Sequence, residues 1–103
     1  MAQYFVNSQS RNIGSVLQTI YTAPNNGAVV HSLFIANKNS NDVYVDIAYF
    51  DGSNVTYLGN NIIIPGNATL TWDKPINITG LHEIRISCDT ASSADAFLSI
   101  LEL

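Results

Sequence analysis

Along most of this chain apolar and polar residues alternate with a period of two, the spacing at which an extended strand sends successive side chains to opposite faces. Val43–Phe50 is the clearest case: Val43, Val45, Ile47 and Tyr49 share one face, Tyr44, Asp46, Ala48 and Phe50 the other. Val16–Tyr21 and Val29–Ala36 read as strands before it. Val55–Leu58, Ile62–Ile64, Ala68–Trp72, Ile76–Thr79, His82–Cys88 and Ala94–Leu103 read as strands after it. Turn chemistry separates them at Ala23-Pro24-Asn25-Asn26-Gly27, Gly59-Asn60-Asn61, Pro65-Gly66-Asn67 and Asp73-Lys74-Pro75. Asp51-Gly52-Ser53-Asn54 predicts a hairpin, because Asp-Gly readily adopts tight-turn backbone angles.

No stretch sustains helical spacing over three capped turns. Seven to nine short strands with frequent turns predict an all-β fold, a single antiparallel β-sandwich that is jelly-roll-like or Ig-like. Antiparallel pairing follows from the short connections, since parallel neighbours need long crossovers. Residues 1–15 differ: one apolar patch, Tyr4-Phe5-Val6, precedes a polar run without period. They read as an N-terminal arm or a loosely attached first strand, and residues 16–103 as the sandwich domain.

Two segments are apolar on both faces. In Ala94–Leu103, Leu98 and Ile100 share one face while Phe97, Leu101 and Leu103 lie on the other, and Ile62–Ile64 behaves alike. A strand buried on both sides, a phase-shifting bulge, or a subunit contact surface each accounts for this. With the arm, the candidate interface residues are Tyr4, Phe5, Val6, Phe97, Leu101 and Leu103.

Composition narrows the function. Only 12% of the 103 residues are charged, about half the usual share, and twelve asparagines supply much of the polarity. Arg11, Lys38, Lys74 and Arg85 are scattered and the net charge is −4, so nucleic acid is not an expected partner. Cys88, in phase with Ile84 and Ile86, reads as a core thiol, and a single cysteine forms neither an internal disulfide nor a multi-cysteine zinc site. Met1–Ser10 lacks the features of a secretory leader, and no apolar run is longer than that at Ile62–Pro65, too short to span a bilayer. A soluble protein without a membrane partner is expected.

Reactive groups are few. His31 and His82 are the candidate neutral-pH bases, but no Gly-x-Ser-x-Gly motif accompanies them. Asp42, Asp46 and Asp51 lack the ligand spacing of a calcium loop, and nothing singles out a carboxylate pair for glycoside hydrolysis. The expectation is no catalytic residue, no cofactor and no metal. Trp72, Tyr44, Tyr49 and Tyr57 fit either the core and its rim or an aromatic platform of a carbohydrate-binding module recognising a host glycan.

Three further stretches carry a resemblance: Tyr21-Thr22-Ala23-Pro24 followed by Ala28–Asn37, Ile64-Pro65-Gly66-Asn67-Ala68-Thr69-Leu70, and Glu83–Ser87 with the closing Leu98–Leu103. In this order they resemble small virion structural proteins of tailed bacteriophages, over about Ser15–Leu103. The resemblance implies a non-enzymatic β-sandwich in the virion that decorates or cements the capsid, or sits in the neck, collar or tail. It implies a homo-oligomer, a trimer or ring, with the major capsid protein or other virion proteins as partners. It transfers no catalytic motif.

Overall fold

The computed structural model describes Gln3–Leu103. Nine strands form: β1 (Tyr4–Ser10), β2 (Gln18–Thr22), β3 (Ala28–Asn37), β4 (Val43–Phe50), β5 (Val55–Ile64), β6 (Thr69–Trp72), β7 (Ile76–Ile78), β8 (Glu83–Cys88) and β9 (Ala94–Glu102). Among the described residues there is no helix. One sheet runs β1-β9-β3-β6, with β7 also pairing β3, and the other runs β2-β8-β4-β5. Every strand pair is antiparallel, as the short connections required.

The pairing has a simple origin. Tyr4 pairs with Glu102, Gln18 with Ile86, Ala28 with Ile78, Leu33 with Trp72, Val43 with Ile64 and Phe50 with Val55. All these pairs are nearly symmetric about Gly52-Ser53. The chain is one long hairpin, rolled up so that β9 meets β3 and β8 meets β4. This rolled ribbon is the jelly roll, one of the two expected forms of the sandwich. Its tip is set by Asp51, whose Oδ1 accepts the N–H groups of Ser53 (2.9 Å) and Asn54 (2.7 Å), while Gly52 takes φ 97°.

The alternating apolar faces meet between the sheets. Val30, Leu33, Ile35, Val43, Val45, Ile47, Ile84, Ile86, Cys88, Leu98 and Ile100 are fully buried there. Period-two alternation places these side chains inside because each strand has one face toward the opposite sheet. Turns 23–27, 51–54 and 79–82 lie at one end, together with Tyr4 and Glu102. Segments 11–17, 38–42, 65–68 and 89–93 lie at the other.

Three local features differ from the sequence reading. Gly59-Asn60-Asn61 does not divide two strands; β5 runs through it as a bulged edge strand. The extra residue is accommodated by Asn61 at φ 53°, whose N–H donates to Asp46 Oδ1 at 2.7 Å. The strand expected from Val16 begins at Gln18, and Val16 is 77% exposed. Asn37, expected to start a loop, ends β3 in a buried position.

Residues 1–15 carried the expectation of an arm or first strand. Tyr4–Ser10 pair with β9 along all seven residues. Beyond them Ile13 is fully buried, donating its N–H to the Ala94 carbonyl at 2.8 Å and accepting from Ser92 at 3.1 Å. Lys38 ties the same segment to β9, contacting Asn12 Oδ1 at 2.6 Å and Asp95 Oδ1 at 3.0 Å.

Candidate functional site

The outward face of the β1-β9-β3 sheet carries the main apolar surplus. Strand β9 has neighbours on both sides, so its inward residues Ala96, Leu98 and Ile100 fill the core. The odd-numbered residues then necessarily face out. Register aligns them with their neighbours in two rows: Phe5, Leu101 and Val29 in one, and Gln9, Phe97, Phe34 and Thr71 in the other. Phe34 and Phe97 are 38% and 39% exposed, with ring centroids 6.5 Å apart and tilted by 48°, a favourable aromatic geometry. Phe5, 81% exposed, stacks on His31 at 5.9 Å. Beside the Phe34–Phe97 pair lies a depression of about 210 Å³, bordered by Gln9, Arg11, Ala36 and Asp95. That is smaller than the usual small-molecule site of about 300–1,000 Å³, and it suits a flat contact better than an enclosed ligand.

The six residues singled out from the sequence divide between the two sides of this sheet. Phe5, Phe97 and Leu101 share the outer face. Leu103 continues their alternation just beyond β9, 36% exposed, with its N–H donating to the Gly27 carbonyl at 3.1 Å. Val6 turns inward and packs against the core. Tyr4, on the side of Val6, remains 60% exposed. His31 lies on this face too, and Val29 and Phe34, which complete it, were not singled out. Their signal was the apolar residues out of phase with Val30, Leu33 and Ile35 in the same strand.

The outward face of the other sheet is more polar at its centre. Glu83 accepts from Thr19 at 2.7 Å and pairs with Arg85 at 2.9 Å, and these contacts hold its carboxyl below the ordinary range. The Arg85 guanidinium covers the Phe50 ring at 3.7 Å. Ser87 Oγ lies 3.4 Å from Asp46 Oδ2. Exposed Tyr44, Tyr57 and Ile63 sit toward the β5 edge.

Potentially reactive groups lie in three separate places. His31 is on the outer face of the first sheet. His82 Nδ1 is 2.8 Å from the Tyr49 hydroxyl, which accepts the Thr79 N–H at 3.1 Å. The Tyr49 hydroxyl thus joins the His82 ring to the backbone at Thr79. Cys88 is in the core, where burial pushes its thiol up and away from the reactive thiolate. Among the described residues no three His, Cys, Asp or Glu side chains gather as a metal site. Trp72 packs against the core and its indole Nε1 is buried without a partner.

No protein-family model matches the chain, and no curated protein matches it in sequence. Similarity appears in solved structures. The capsid structure of Helicobacter pylori bacteriophage KHP30 matches with a TM-score of 0.59 at 13% identity, covering 98% of this chain and 86% of that one. The cyanophage Pam1 capsid asymmetric unit matches at 0.55 and 15% identity, with the same coverages of 98% and 86%. PirA matches at 0.58 and 12% identity, covering 93% of each chain. The likeness is one of fold: this chain has the β-sandwich architecture found in chains of phage capsid structures.

Proposed function

We propose that this protein is a non-enzymatic structural component of a bacteriophage virion, a decoration or cement subunit that binds the head lattice. The observation that carries the reading is the apolar outer face formed by Phe5, Val29, Phe34, Phe97 and Leu101. Aromatic side chains clustered on a rigid sheet are the usual anchors of a protein interface. Two further points support it. The fold occurs in phage capsid structures, and the matched chains there are close to this one in length, since one aligned stretch is 98% of this chain and 86% of theirs. The histidines and the cysteine are each accounted for by stacking, hydrogen bonding or core packing.

The major capsid protein is the partner this reading implies. The test is binding of purified protein to phage heads that lack it. A Phe34→Ser, Phe97→Ser double substitution is expected to weaken binding at least tenfold while leaving the circular dichroism spectrum unchanged. Undiminished binding by the folded variant, or binding only at the neck or tail in electron micrographs, rules the head-decoration reading out.

A further inference from the structure

Each sheet of a sandwich ends in strands whose outer N–H and C=O groups lack partners, and proteins guard such edges with bulges, breaks, prolines or charge. Three edges here are guarded. Strand β2 is five residues long with a register shift between Thr19 and Tyr21. Strand β5 has two register shifts. The β6–β7 edge is broken into short pieces by Asp73-Lys74-Pro75. Strand β1 has none of these protections. It pairs with β9 in unbroken register from Tyr4 to Ser10, and Tyr-Phe-Val-Asn-Ser-Gln-Ser contains no charge, proline or glycine.

Exposed apolar side chains occur at both ends of the same flank. Strands β1 and β2 lie one above the other, linked where Ser8 Oγ donates to the Ile20 carbonyl at 2.7 Å. Phe5 at 81%, Val16 at 77% and Tyr4 at 60% exposure all lie on β1 or in the segment leading to β2. They are three of the four most exposed large apolar side chains among the described residues.

We propose that the β1 edge joins two copies of this chain, β1 against β1 in antiparallel register about a two-fold axis at Asn7. The occupant is a second copy because the edge is self-complementary. The chain carries a net charge of −4, yet this strand is uncharged and imposes no repulsion at the seam. With Asn7 opposite Asn7, Phe5 of one copy faces Gln9 of the other. The row Val29–Leu101–Phe5 then continues into Gln9–Phe97–Phe34 of the second copy, so the two apolar outer faces merge into one. Such a contact is isologous and closes on itself at two subunits. The inference concerns the isolated protein and does not rest on the virion reading.

Sedimentation of the full chain tests it together with two substitutions at the exposed Asn7. Wild type is expected to sediment as a dimer. Asn7→Lys places two ammonium groups directly opposite each other, and dimerisation is expected to weaken at least tenfold with the fold retained by circular dichroism. Asn7→Cys is expected to give a disulfide-linked dimer under mild oxidation, since facing residues of an antiparallel pair lie within disulfide range. Wild type, whose Cys88 is buried, stays unlinked under the same conditions. A monomer at all concentrations, an oligomer indifferent to Asn7→Lys, or a folded Asn7→Cys protein that does not link to itself overturns the proposal.

Discussion

Asn37 shows how much one side chain contributes at the far end of the sandwich. It is 3% exposed, and its Nδ2 faces the carbonyls of Asn41 (2.9 Å), Ile64 (2.9 Å) and Pro65 (3.1 Å), while Oδ1 accepts the Asn39 N–H at 2.9 Å. One amide thus fastens the 38–42 turn to the end of β5. Asn37→Ala removes the buried donor these carbonyls share, and chemical denaturation is expected to show a loss of about 1–3 kcal/mol. Asn37→Asp is expected to cost more, because it sets a carboxylate against three carbonyl oxygens. Gly66 serves the same junction through its smallness, since a Cβ there would collide with the Ser40 carbonyl. Neither role was legible in the sequence. Asparagine recurs in many turns of this chain, and only the closed fold reveals which one meets buried carbonyls.

At the scale of elements, alternation made most strands readable, because one apolar face per strand is what a sandwich core demands. Val43–Phe50 carries the same bounds in sequence and structure. The reading failed where a strand keeps going through turn-like residues. In β5, Gly59-Asn60-Asn61 forms a bulge whose stability depends on Asp46, a residue fifteen positions earlier on the neighbouring strand. Asp46→Ala removes that acceptor. Amide exchange at Asn61 is expected to accelerate, with a stability loss of about 0.5–1.5 kcal/mol, the usual worth of one such bond. The apolar surplus on β9 was likewise legible, but its partners on β3 were not. Which residues lie beside Phe97 depends on a register that only the folded sheet specifies.

For the whole molecule, charge is sparse but placed to respond to pH. Asp51 is held below the ordinary carboxyl range by the N–H groups of its turn, Glu83 by Thr19 and Arg85, and Asp95 by the Asn12 N–H and Lys38. Their folded-state values lie below the unfolded ones. The associated stability is complete above about pH 5 and drains as pH falls through the lowered values. Tyr21 behaves oppositely: burial and the Glu102 carboxylate, 2.6 Å from its hydroxyl, push its phenol up. That contribution is complete below about pH 10 and is lost as pH rises further. Melting temperature is therefore expected to be flat from near pH 5 to 9 and to fall on both sides. Tyr21→Phe should blunt the alkaline fall and leave the acid one unchanged.

The mirror-like pairing about Gly52-Ser53 also gives folding a sequence in time. Once Phe50 meets Val55, each later pairing closes only a small additional loop, so the entropy of bringing distant residues together is met in steps. The ribbon is therefore expected to zip outward from its tip, with β1 and β9, the segments farthest apart along the chain, engaging last. Substitutions in β4 and β5 are expected to slow folding, with φ-values well above those in β1, where they mainly speed unfolding. On the same grounds β1 is expected to open first, which amide exchange along Tyr4–Ser10 checks.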